Sequence, residues 1–338
     1  MLLVTLGDPY SINIRGVVQT LHATKDLQNL MPVVIIGSYF QWQDQLQILR
    51  SKGLLSSAPD VENSLKMKVT QELPEGKGLW FLDLGGAEVS YDALSQEERS
   101  RQSVAALCAI PKSHTIMAVV TGPVDKNIVS LTWKNFRGQT EYFSELWGSD
   151  ALMLLSGPKL KVGLATNHMA LSEVPTHITA SLLQDKVAKF TQALQEIYGI
   201  SKPRLAVCGL NPHAGDRGLF GIEDKTVIEA FVKSYKGPAS LTGPISADTV
   251  FHFALKGRFD GVLAMYHDQG LTPMKTIYFE EAINISAGLP FLRVSPDHGP
   301  ASDMILSPEA SFKSFENAMA SAVGYLEKTL FGKEDLWK

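Results

Sequence analysis

Short apolar runs alternate with amphipathic stretches along nearly all of this chain, and that alternation limits its fold more than any other feature. The runs are too short for ordinary helices and are rich in Val, Leu, Ile and Ala, so they read as buried parallel strands. The expected strands are LLVTL from Leu2, VVIIG from Val33, LWFLDL from Leu79, MAVVTG from Met117 and ALMLL from Ala151. KVGLATN, RLAVCGLNP and GVLAMY follow, and then TIYF, INIS and FLRVS. Between them lie helical patterns over Ser95 to Ile110, His177 to Tyr198, Lys225 to Ser234 and Asp248 to Leu255. The first opens SQEE, which gives Ser95 and Glu98 the spacing of a capping box. Strands and helices in this order predict an α/β fold of the three-layer α/β/α kind.

At 338 residues the chain is long enough for two domains of roughly 150 residues each. No Pro- or Gly-rich linker marks a boundary, so the chain is expected to leave one lobe and return to it. Residues 1–135 with 296–338 form the expected first lobe, and residues 136–295 the second. The polar stretch from Ser51 to Lys77 reads as a surface excursion. A net charge of -4 argues against nucleic acid or an anionic membrane as the main partner. No run approaches the ~18 apolar residues that span a bilayer, and the start lacks the basic end of a signal peptide. Cys108 and Cys208 lie in apolar stretches and fit buried thiols of a reducing compartment. The expected location is the cytoplasm.

Three of the apolar runs end just before a histidine: His168, His213 and His267. In open α/β sheets ligands bind beyond the carboxyl ends of the strands. A single histidine there is most often structural. Three in equivalent places, flanked by Asn, Pro, Gly or Asp, point to a divalent metal, with a coordination position left open. Asp268 is placed to be a further ligand, an orienter of His267, or a base. NPHAGDRGLFG at Asn211 brackets polar groups with small residues, which lets backbone approach a ligand closely. Asp248 in GPISADT starts a helix, where a plain N-cap is an equal reading. Lys275 and Arg293 are the cations best suited to grip a phosphate or carboxylate, and Asn284 lies on a late strand near them in sequence.

Read in order, TGPVDKN, FRGQTEYFSE, LATNHMALSEVPTHIT, GLNPHAGDRGLFG, GPISADT, MYHDQGLTPMK, INISAGLPFLRVSPDHG and the following ASD resemble the 4-hydroxythreonine-4-phosphate dehydrogenase family of vitamin B6 synthesis. The likeness runs from about Val119 to Asp303, with a weaker match at LGDP near the start. It implies the two-lobed fold of the isocitrate and isopropylmalate dehydrogenases. It places His168, His213 and His267 at the family's metal-ligand positions and Gln139, Thr140, Lys275, Asn284 and Arg293 at its substrate-binding positions. Asp248 and Asp268 match acidic positions of its active site. The family shares each site between two subunits, so a homodimer is implied. Gln139 stands where the family usually has histidine. GDPYSINIR replaces a glycine-rich Gly-Asp-Pro-Ala-Gly-Ile-Gly-Pro-Glu loop, with Arg15 in place of the glutamate. MILSPEAS, after HGPASD, replaces a Gly-Thr-Gly type loop that helps hold the dinucleotide.

The resemblance thus implies NAD- or NADP-dependent oxidation and decarboxylation of 4-phosphooxy-L-threonine. The histidines would carry Zn, Co, Mg or a similar ion, and Asp248, Asp268 and Lys275 are the catalytic candidates. Two alternatives stand beside it. One is a dehydrogenase for a related phosphorylated acid of the threonate phosphate type. The other is a metal- and phospholigand-binding protein that has lost the dinucleotide.

Overall fold

The computed structural model describes residues 1–55, 67–113 and 115–332. Residues 56–66, at the centre of the Ser51 to Lys77 stretch, lie outside the described residues, as do His114 and residues 333–338. The chain forms two compact units, the first from Met1–Ser149 and from Leu289 onward, the second from Asp150–Gly288. Strands β1 (Leu2–Thr5), β2 (Pro32–Gly37), β3 (Lys68–Thr70), β4 (Gly78–Asp83) and β5 (Ala118–Thr121) belong to the first unit. The second carries β6 (Leu152–Ser156), β7 (Lys161–Leu164), β8 (Arg204–Cys208), β9 (Ser240–Ile245), β10 (Gly261–Ala264) and β11 (Ile283–Ala287). Strand β12 (Leu292–Pro296) returns to the first.

In the first unit the strand order is β3-β4-β2-β1-β5-β12, with every pairing parallel. β1 and β5 are buried along their whole length, as strands covered on both faces must be, so their sequences are continuously apolar rather than alternating. The helix Lys313–Phe331 packs on β12 and β5 through a stripe that includes Phe315, Met319, Ala322 and Leu326. Ser95 caps the helix Gln96–Cys108 by accepting from the Glu98 amide at 3.2 Å. The Glu98 carboxylate turns instead to the Ala87 amide at 2.9 Å, so only half of the expected capping box forms.

The second unit has the order β11-β6-β7-β10-β8-β9. β6 is antiparallel to both neighbours, and β7, β10, β8 and β9 are mutually parallel. The three strands that precede the histidines are therefore adjacent, with β10 in the middle. Leu164 pairs with Ala264, and Leu205 pairs with Gly261. This register brings His168, His213 and His267 to one sheet edge. The helix Ala180–Glu196 covers these strands with Phe190 fully buried. Gly163 of β7 and Gly261 of β10 make room for that ring: a Cβ on either would lie 2.9 or 2.5 Å from it.

Four expectations are corrected. TIYF is the end of the helix His267–Tyr278, running into Phe279, because a four-residue apolar run carries too little period to separate helix from strand. β3 and β9 were not expected; both are partly exposed, and β9 contains the Gly-Pro pair that reads as a turn. Cys108 is exposed, since it ends its helix on the outer side, whereas Cys208 is buried in β8. The unit edges differ from 135/136 and 295/296. Phe143 and Trp147 of the helix Gln139–Trp147 pack on Phe291 at ring separations of 6.1 and 5.4 Å, which keeps that helix in the first unit. Among the described residues no helix is long and apolar enough to cross a membrane.

Replacing Gly261 with Ala should overpack the Phe190 contact and destabilise the second unit by about 1–3 kcal/mol. A lowered urea midpoint would show this; an unchanged one would mean that Phe190 shifts freely.

Candidate active site

The metal edge is built on the second unit. His168 and His267 stand close, their ring centroids 5.4 Å apart. His267 starts a helix, and its Nδ1 lies 2.7 Å from Asp268 Oδ1. A carboxylate on one ring nitrogen fixes the tautomer and orientation of an imidazole and leaves Nε2 for another partner. Among the described residues no three His, Cys, Asp or Glu side chains are grouped to hold a metal. His213 is exposed and does not complete a trio with the pair.

The segment carrying His213 has an unusual backbone. His213, Ala214, Gly215, Asp216 and Arg217 all have positive φ, from 38 to 77°. Each non-glycine residue there costs about 1–2 kcal/mol relative to right-handed geometry. Asp224 offsets this cost. It is 1% exposed, and its carboxylate accepts from the Leu210 amide at 2.7 Å, the Asn211 amide at 3.1 Å and the Asn211 Nδ2 at 2.9 Å. Sequence reasoning missed Asp224, which lies eleven residues after His213 with no motif around it.

Below the histidines the strand ends are tied together. The Met265 carbonyl accepts from the Thr166 amide at 3.2 Å and its hydroxyl at 2.8 Å. Gln269, 9% exposed, accepts from the Met265 amide at 2.7 Å and donates to the Gly209 carbonyl at 2.8 Å. The remaining second-unit candidates are more dispersed. Asp248 is exposed in the first turn of the helix Ala247–Leu255, where Ser246 is the N-cap, and accepts from the Ser246 hydroxyl. Lys275 lies eight residues beyond His267 on one helix, roughly 12 Å along its axis. Asn284 on β11 has a buried Oδ1 with no hydrogen-bond partner among the described residues, as does Asn167 beside His168.

The first unit gathers the other candidates. Arg293 on β12 is 2% exposed and faces the end of β5 and the start of the helix Gln139–Trp147. Its Nε and Nη2 donate to Thr121 Oγ1 at 3.1 and 2.6 Å, and Nη1 to Thr140 Oγ1 at 3.3 Å. Nη2 also donates to Gln139 Oε1 at 2.9 Å, while Gln139 Nε2 donates to the Gly122 carbonyl at 2.9 Å. Burial pushes the guanidinium down to about 10, against the opposing charge of Glu141, so it stays cationic at neutral pH. Thr121 belongs to this group and was not singled out from the sequence.

The N-terminal loop and residues 300–312 close on each other within this unit. Arg15, 6% exposed, donates to the Ser307 carbonyl at 2.7 Å and lies over the Phe312 ring at 5.0 Å. Ser302 donates to the Tyr10 carbonyl at 2.6 Å, and Ile12 donates to the Pro300 carbonyl at 3.0 Å. Ile12, Tyr91, Ile305 and Phe312 form a buried cluster between them. Asp8 is bound by Arg99 through both oxygens, and burial nonetheless holds its carboxyl above the usual range.

A family model for the pyridoxal phosphate biosynthetic protein PdxA matches residues 30–322. A 4-hydroxythreonine-4-phosphate dehydrogenase of a Sulfurihydrogenibium species is 33% identical over 94% of this chain and 97% of its own. A Symbiobacterium thermophilum protein with the provisional name D-threonate 4-phosphate dehydrogenase is 41% identical over 62% of each chain. The solved 4-hydroxythreonine-4-phosphate dehydrogenase of Klebsiella pneumoniae superposes with a TM-score of 0.76 at 28% identity, covering 96% of this chain and 97% of that one. The fold is that of the isocitrate and isopropylmalate dehydrogenase group.

Asp224→Asn places an amide NH2 against backbone donors, and should cost about 1–3 kcal/mol of stability with faster hydrogen exchange at Leu210 and Asn211. Unchanged exchange there would show that the left-handed turn holds itself.

Proposed function

The chain belongs to the family of the pyridoxal phosphate biosynthetic protein PdxA, and on that premise we propose that it oxidises and decarboxylates 4-phosphooxy-L-threonine to 3-amino-2-oxopropyl phosphate. The family of dehydrogenases implies a nicotinamide cofactor, NAD or NADP. The observation that carries the reading is the His168–His267 pair with Asp268 on the outer nitrogen of His267. That donor set fits a divalent ion such as Zn, Co or Mg. His168 and His267 would hold it, with His213 of a second copy as the third ligand in a cytoplasmic homodimer. When bound, such an ion supplies Lewis acidity that lowers the pKa of the substrate's C3 hydroxyl.

The chain's own side chains account for the rest. Arg293, held open by Thr121, Thr140 and Gln139, binds an anionic group of the substrate. Asn284 Oδ1 is a buried acceptor ready for a substrate hydroxyl or ammonium. Lys275 binds a second anionic group, and its distance along the helix from His267 suits a site completed across two subunits. Asp268 is engaged by His267 and serves orientation, which leaves Asp248 and Lys275 to receive the hydroxyl proton.

The first unit does not fit a glycine-rich cradle for a dinucleotide. Arg15, Ile12 and Phe312 fill the place between the two loops with side chains, and no step is derived through that group. This closure favours a second reading, a family member that binds metal and a phosphorylated ligand without a dinucleotide. The match to the D-threonate 4-phosphate relative favours a change of substrate instead.

One set of measurements separates the three. NADH or NADPH formation should appear with 4-phosphooxy-L-threonine in the presence of metal. Turnover of threonate phosphate alone would replace the substrate, and calorimetry showing no dinucleotide binding would establish the second reading. Arg293→Lys, which cannot span three acceptors, should raise KM for the phosphorylated substrate by about tenfold or more. An unchanged KM would remove Arg293 from the binding site.

A further inference from the structure

The amide of Gln269 lies where the turns of two histidines meet. It bonds Met265, two residues before His267, and Gly209, four residues before His213. Gly209 in turn is pressed against the turn it precedes, since a Cβ there would lie 2.7 Å from Ala214 Cα. The Met265 carbonyl is shared with Thr166, two residues before His168. One side chain thus sits at the node of three loops that leave three adjacent strands. Its two ends are not interchangeable: the oxygen faces an amide N–H, and the nitrogen faces a carbonyl, both buried.

We infer that Gln269 is a positioning residue, whose carboxamide sets the spacing of the His267 and His213 turns and thereby the affinity of the histidine edge for a divalent ion. The inference rests on the metal reading above. It requires an amide in particular. A glutamate of the same size presents oxygen to the Gly209 carbonyl, and a methionine of similar volume leaves both backbone groups without a partner.

The test uses the full chain. Zn2+ affinity is read by competition with a chromophoric chelator, and Co2+ ligand-field absorption reports coordination geometry, both at a temperature where circular dichroism shows the protein folded. His267→Ala, which should bind poorly, ties the measured ion to the histidines. Gln269→Glu and Gln269→Met should each lose about 10–100-fold in affinity, with an altered Co2+ spectrum. Folded variants with unaltered affinity and spectrum overturn the inference alone, because they show Gln269 to be ordinary packing. If the unsubstituted chain binds neither ion, the metal reading falls and this inference with it. Gln269→Met is the variant to read if Gln269→Glu does not fold. Failure of both to fold would make Gln269 a folding residue and overturn the positioning role.

Discussion

The parallel pairing of β7, β10 and β8 is the constraint on which the histidine edge depends. Strands in register bring their carboxyl ends to one line, so residues a few positions beyond each strand share an edge although some fifty residues of sequence separate them. That pairing needs close cover from the helix Ala180–Glu196, which Gly163 and Gly261 allow by leaving space for Phe190. Packing on one side of the sheet thus secures the strand positions from which the polar loops depart.

Beyond the strand ends, hydrogen bonds replace the ladder. Buried backbone groups must be paired, and here side-chain amides and carboxylates supply the partners. Asp224 holds the turn of His213 in a backbone conformation that L residues seldom adopt. Gln269 and Thr166 link the central strand end to its two neighbours. In the first unit, Thr121, Thr140 and Gln139 do the same for the Arg293 guanidinium. Gln139, at a position where relatives usually have histidine, is an uncharged amide whose two ends are both used.

Much of this was legible in the chain. The histidine strands, Arg293, Asn284 and the helices after Ser95 and His177 could be read because apolar period and motif order are local signals. Asp224, Thr121 and the structural part played by Gln269 could not. Their partners lie on other strands, and nothing in the neighbouring residues marks a side chain that bonds a distant backbone. TIYF misled for a related reason: a short apolar run looks alike in a strand and at the buried end of a helix.

The sequence by itself determined the α/β class, the residues available for metal and anion binding, and the loss of glycine from two loops, because composition and spacing carry that information directly. Only the tertiary structure decided which of those residues meet. Strand order made three histidine strands neighbours, and the backbone of the His213 turn kept that residue out of a trio with His168 and His267. Arg15 bonded to Ser307 and stacked on Phe312 joined two glycine-poor loops into one apolar cluster. Contacts of that kind depend on distances in space, which a linear pattern does not encode.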